Sequence, residues 1–150
     1  ESLVEQLTMR SVTRVYSAIV WGVPTSLNGV IDAPIGRDQR DPTRMAVVVD
    51  GKPSRTHYAV ERTFHVPKDI SLVECRLETG RTHQIRVHLA SIGHPVVGDA
   101  QYGGVRAGVR AGRPMLHARE LAFDHPRTGE RRTVTSDLPN DFASLVASLS

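Results

Sequence analysis

The stretch Leu77-Glu-Thr-Gly-Arg-Thr-His-Gln-Ile-Arg-Val-His-Leu89, closed by Gly93-His-Pro-Val-Val-Gly-Asp99, changes its hydrophobic period once. Up to Glu78 the residues from Ile70 read as a buried strand. From His83 to Ile92 the period becomes helical, with Ile85, Leu89 and Ile92 on one apolar stripe. Thr82 is placed to cap that helix, and Gly93 followed by Pro95 ends it. Thr79-Gly80 is the turn between the two elements, and Arg81 sits where strand, turn and helix meet. A guanidinium at that junction offers two parallel N–H groups to an anion, beside the positive end of a helix. The spacing suits a carboxylate or a phosphate, and it equally suits a structural arginine in a surface ion pair.

Working outward, Ser2–Arg10 reads as a short helix and Val12–Val23 as a long strand. Pro24 and Asn28-Gly29 suggest a hairpin-like return into Val30-Ile31. Asp32–Arg44 is polar, holds two prolines and reads as a loop. Met45–Val49 is a short strand, and Arg55–His65 pairs with Ile70–Glu78 across the Pro67-Lys-Asp69 turn. Val105–Gly112 is a small basic repeat expected to be a mobile surface loop. Leu116–Phe123 and Arg131–Val134 are two further strands around Pro126–Gly129. Pro139 opens a closing amphipathic helix through Phe142, Leu145, Val146 and Leu149. Strands outnumber helices and short connections dominate. The expected fold is therefore one α+β domain over residues 1–150, with a mixed, mainly antiparallel sheet and a few packed helices.

Composition narrows the function. The 150 residues carry 39% hydrophobic and 23% charged residues, as globular domains do. No apolar run reaches the roughly 20 residues of a membrane span. Cys75 is the single cysteine, so no internal disulfide forms and a reducing, cytoplasmic setting is expected. The net charge is +3, and the cations are nearly all arginine, with Lys only at 52 and 68. That bias fits phosphate contacts, and it fits a GC-rich genome equally. Aromatics make up only 5%, which argues against a base-stacking platform.

Other chemistries find little support. His83 and His88 lie five apart on a helix, about 140° around its axis, and do not converge on one ion. No phosphate-binding Gly-rich loop and no Gly-x-Ser-x-Gly elbow occurs. Tyr16 lies mid-strand among Val15, Ala18 and Ile19, where core packing is the ordinary role. Asp99 reads as a turn brace.

The run from Leu77 through Tyr102-Gly-Gly104 resembles the signature of the RluA family of RNA pseudouridine synthases. Thr13-Arg-Val-Tyr-Ser-Ala-Ile-Val-Trp-Gly22 is similar to that family's tyrosine-bearing strand. Gly51–Val60 and Met115–Glu130 resemble its later strands. The resemblance implies a cofactor-free, metal-free isomerisation of selected uridines in ribosomal or transfer RNA. An aspartate acts at the sugar, and the base leaves, rotates and rejoins through carbon. On this resemblance Arg81 pairs with that aspartate. Tyr16 packs on the target base and helps remove a proton, a role that needs local assistance because a phenol ionises near pH 10, roughly. Ile85 packs near the uracil, or simply belongs to the core stripe with Leu89. Thr82, His83, Arg86 and His117 are expected near the RNA. The family's His-Arg-Leu-Asp stretch, expected before the tyrosine strand, does not occur between residues 1 and 150. The expectation is that the aspartate lies upstream of Glu1, the alternative being a degenerate homologue that binds RNA without catalysis. A structural domain with a surface Arg81 is the reading from a different class.

Overall fold

The computed structural model describes residues 12–150. The helix expected at Ser2–Arg10 lies outside the described residues. Eight strands and two helices follow one another: β1 (Thr13–Trp21), β2 (Asn28–Asp32), β3 (Ile35–Arg37), β4 (Met45–Val47), β5 (Arg55–Phe64), β6 (Ile70–Leu77), α1 (Gln84–Ser91), β7 (Leu116–Asp124), β8 (Arg131–Thr135) and α2 (Asn140–Ser148). Six strands form one sheet in the order β2-β5-β6-β1-β7-β8, and every neighbouring pair is antiparallel. The α+β expectation holds.

β1 is interior because its sequence is apolar on both faces. Ala18, Ile19 and Val20 are fully buried and Trp21 nearly so, as suits a strand covered from two sides. Its two edges are taken by β6 and β7, so the expected hairpin return to β1 does not form. β2 pairs instead with β5, placing Asn28 opposite Ala59 and Gly29 opposite Tyr58. Asn28-Gly29 is strand, not turn. Its glycine serves a close approach, since a Cβ there would stand 3.1 Å from the Tyr58 ring.

The segment read as a loop between Asp32 and Arg44 also contains a strand. Ile35–Arg37 pairs with Met45–Val47 as a separate two-stranded ribbon. One apolar residue decides it: Ile35 is buried with Val87 and Tyr102 in a second small core, beside Met45 and Ala90. The polar residues around Ile35 hide that anchor from any periodicity. As a result α1 is covered on two sides. Ile85 and Leu89 enter the main core, Val87 enters the second, and Ile92, the expected third member of the stripe, is 38% exposed as the residue that ends the helix.

The Val105–Gly112 repeat is a loop, but an anchored one. Val109 is buried and Ala111 packs against the main core. α2 closes the chain by burying Phe142 completely and Leu149 nearly so. The terminal Ser150 exchanges backbone hydrogen bonds with His65 and Val66 at the β5–β6 hairpin. Cys75 is fully buried, and desolvation pushes its thiol up to about 12, so it is core and unreactive. No helix among the described residues is long and apolar enough to cross a membrane.

Candidate active site

The turn from Thr79 to His83 is held from below by one side chain. Gln84 is 3% exposed, and its Oε1 accepts from the Arg81 backbone N–H at 3.0 Å and from the Thr79 hydroxyl at 2.7 Å. Its Nε2 donates to the Arg55 carbonyl at 2.9 Å and to Thr56 Oγ1 at 3.0 Å. Thr79 Oγ1 in turn accepts from the Arg55 backbone N–H. All four hydrogen-bonding positions of the amide are used. The expected Thr82 cap is absent. Thr82 is exposed, and the helix is entered through His83 in the left-handed region, φ 56° and ψ 22°, with no side-chain cap. Gln84 supplies the acceptor that a Thr82 hydroxyl was expected to give.

The chain of bonds continues inward. The Thr56 hydroxyl meets His88 Nδ1 at 2.8 Å, and His88 Nε2 meets the Ala33 carbonyl at 2.9 Å. A carbonyl accepts only, so Nε2 carries a proton, and burial favours the neutral ring, whose Nδ1 accepts from Thr56. His88 is therefore neutral in this arrangement. Burial pulls its pKa below the usual histidine value, partly opposed by the Ala33 bond and by Asp32. Between its folded pKa and about 6.5 the unfolded chain binds more protons than the folded one. Stability is thus fully present above about pH 6.5 and falls as the pH drops. Thermal melts from pH 7.5 to 5 are expected to show a falling midpoint, with a shallower slope in His88→Asn. A pH-independent midpoint in the parent protein removes this account.

Arg81 is half-buried. Its Nε and Nη2 both donate to the Pro53 carbonyl, at 3.2 and 2.9 Å. The guanidinium is thereby aimed rather than free to sweep, and it lines a hollow of about 470 Å³. Ile35, Gly36, Arg37 and Met45 of the β3–β4 ribbon, the Asp50–Lys52 corner and Thr82 form the rest of that hollow. The ribbon missed in the sequence is thus one wall of the space in front of Arg81.

Arg86 and His83, both expected near RNA, are engaged inside the protein. Arg86 binds Asp99 through a two-pronged pair, Nε to Oδ2 at 2.7 Å and Nη2 to Oδ1 at 2.9 Å. The Asp99 side chain is fully buried. The pairing raises the Arg86 pKa above its usual value, against the opposing effect of burial. His83 Nδ1 lies 2.7 Å from the Tyr102 hydroxyl, which itself accepts from the Met45 backbone N–H. The guanidinium carbons of Arg44 and Arg86 stand 4.9 and 5.0 Å from the Tyr102 ring centre. Burial and the Arg86 charge lower the His83 pKa, against Asp99, which raises it. Asp99, read as a brace, fills that role; Tyr102 had no signal beyond a turn.

Tyr16 is half-buried on β1, opposite Cys75 of β6 and Ala118 of β7. It lines a second hollow of about 210 Å³ with Arg14, Ala118, Leu121 and Val134. Arg81 lines a different one, so the two expected catalytic side chains do not share a single hollow. They are joined by Arg14, two residues from Tyr16 on the same face of β1. A Cβ on Gly80 would stand 2.2 Å from Arg14 Nη1. His117 pairs with Ser17, the residue after Tyr16, and so faces the other side of the sheet. Its Nε2 lies 3.1 Å from the Ser136 carbonyl. Ile85 is 4% exposed and packs in the main core. Gln84 and Arg14 were missed. Gln84 carried a faint signal, a glutamine in the first turn of a helix, where capping residues reach back. Arg14 carried none.

Residues 1–91 match the family described as RNA pseudouridylate synthase. The chain belongs to that family. Over 149 residues it is 50% identical to the uncharacterized RNA pseudouridine synthase YlyB of Bacillus subtilis (strain 168), covering 99% of this chain and 48% of that protein. Over 154 residues it is 48% identical to ribosomal large subunit pseudouridine synthase D of Nitrosomonas europaea, covering 98% of this chain and 44% of the relative. Among solved structures, human RNA pseudouridylate synthase domain containing 1 superposes with a TM-score of 0.80 at 34% identity, covering 98% of this chain and 62% of that chain. The chain spans about half the length of the curated relatives it matches.

Proposed function

We propose that the protein carrying this chain is an RNA pseudouridine synthase of the cytosol, acting on structured RNA, with ribosomal RNA as the first substrate to test. The relatives named for the ribosomal large subunit support that choice. The reaction breaks the bond from the sugar C1′ to N1 of uracil, joins C1′ to C5, and moves a proton from C5 to N1. Arg81 is assigned to hold a carboxylate ionised and oriented. Tyr16 is assigned to the base and to the late proton transfer. Thr82, which lines the hollow in front of Arg81, then lies at the edge of the target pocket, whereas Ile85 serves the main core. Arg86, His83 and His117 are better read as positioning or structural residues, because the Arg86 guanidinium and one ring nitrogen of each histidine already have partners within the fold.

The observation that carries this reading is the junction at Gly80. Arg14 on the tyrosine strand packs against the turn that aims Arg81, so one residue bridges the strand and the turn whose Tyr16 and Arg81 line separate hollows. The test is incubation of the full-length protein with unmodified ribosomal RNA, followed by mapping of pseudouridine. New pseudouridine at one or a few positions is the expected result, and none in ribosomal or transfer RNA sinks the proposal. RNA affinity should also be strongly salt-dependent. Neutralising about four phosphates costs roughly 100-fold between 50 and 200 mM salt. A flat salt response would remove the phosphate contacts on which every RNA reading depends.

A further inference from the structure

Most arginines near the site have their charge answered. Arg86 has Asp99, Arg113 has Asp141, and Arg119 has Glu61 and Glu74. Arg14 differs. Its Nε is buried and meets no hydrogen-bond partner among the described residues. The Nε atoms of Arg44 and Arg55 share that condition, yet Arg44 lies 3.4 Å from Asp38, and Arg55 lies 3.2 Å from Glu78. No carboxylate answers Arg14 among the described residues. A charged group that gives up water without gaining a partner is costly. Burial accordingly pulls the Arg14 pKa below the usual arginine value, with Tyr16 acting in the other direction.

The fold makes room for this cost. Gly80 is not in the left-handed region, so its backbone does not demand glycine; a Cβ there would displace the end of the Arg14 side chain. Arg14 also lines two hollows, the one it shares with Tyr16 and another of about 430 Å³ that it shares with Leu77 and Glu78. Glu120 borders the first and Glu78 the second; Glu78 is engaged by Arg55 and His57, and neither forms an ion pair with Arg14 among the described residues. The result is a fork-shaped cation set beside apolar walls at Ala118, Leu121 and Val134, without an ion-paired anion among the described residues. A polynucleotide brings one phosphate per nucleotide at a fixed distance from each base, and a guanidinium fork fits it in two-pronged fashion.

We propose that Arg14 is a phosphate-binding residue that holds the backbone of the target nucleotide between Tyr16 and the Thr79–Arg81 turn. The naming of the nucleotide rests on the function proposed above. The phosphate requirement itself is tested separately. In the full-length protein, uridine and uridine 5′-monophosphate are titrated in parallel by calorimetry or ligand-observed NMR. The monophosphate should bind at least about tenfold more tightly, the equivalent of one charge-assisted hydrogen-bonded contact. Arg14→Met should abolish that preference, Arg14→Lys should keep part of it, and Arg127→Ala, at the exposed turn between β7 and β8, should leave it intact. Equal affinities in the parent protein, or a preference that survives in Arg14→Met, overturns the proposal; a carboxylate from the same chain occupying the fork produces the first of these. If Arg14→Met does not fold by circular dichroism, Arg14→Lys decides: an unchanged preference overturns the proposal and a weakened one supports it. A phosphate preference without any pseudouridine formation retains Arg14 and rejects the synthase reading. Pseudouridine formation without the preference does the reverse.

Discussion

Arg81→Ala in the full-length protein is expected to lower pseudouridine formation by about 10²–10³-fold, the usual cost of removing one preorganised charge partner. RNA affinity should change by less than about 1 kcal/mol, because one half-exposed cation contributes little to a surface made of many. The asymmetry follows from geometry. Both Nε and Nη2 of Arg81 are fixed on the Pro53 carbonyl, so the remaining edge of the guanidinium has one direction to offer. Arg81→Lys should recover little, since an ammonium lacks the second prong needed to hold Pro53 and a carboxylate together. Single-turnover kinetics and filter binding on the same preparations separate the two effects. Near-normal turnover in Arg81→Ala would show that the residue is structural. A parallel collapse of RNA binding would show that it is a phosphate contact instead.

The largest stability effect should come from Asp99→Ala. Asp99 is fully buried and its partner Arg86 largely so. Deleting one member leaves a guanidinium below the surface without an anion, at a cost of about 3–5 kcal/mol. The same change frees the Gln101 backbone N–H from Asp99 Oδ1 and loosens Arg86 beside Tyr102. Replacing both members with apolar residues of similar volume should cost much less than Asp99→Ala alone, because no charge is then stranded. Chemical denaturation of the two variants provides the comparison. Equal losses would mean that the pair is not the source of the stability. The exposed Arg113–Asp141 pair has similar geometry and should contribute far less, because water competes for both partners.

Local pattern made most of the sheet legible, and long-range partners did not. Arg55–Phe64 and Ile70–Leu77 alternate and are joined by a short turn, so they could be paired from sequence. β2 could not be assigned a neighbour that way. Asn28-Gly29 is a turn signal in isolation, and only the occupation of both edges of β1 sends β2 to β5. β3 was hidden because a single buried isoleucine between Pro34 and Gly36 has no period. At the site, Arg81 stood out because it lies at a change of period, and Tyr16 because of the motif around it. Gln84 and Arg14 had no comparable marker. Their importance depends on what approaches from residues 28 and 66 positions away in the chain, at Thr56 and at Gly80. Asp99 was recognised as a brace, but its partner was assigned to RNA, since an arginine on a helix gives no sign of where its guanidinium is satisfied.

The bonds running from the Arg81 N–H through Gln84, Thr56 and His88 to the Ala33 carbonyl begin at a group that can only donate and end at one that can only accept. Between such fixed ends every proton has one permitted side, and reversing any link strands a buried donor or acceptor. A network of this kind holds the turn in one hydrogen-bonding arrangement. The loop carrying Arg81 is accordingly a fixed reference point rather than a moving part. Its ordering cost is met during folding, so that binding and chemistry need not supply it again. Control over this site is then exerted through what reaches the turn, and not through the turn changing shape.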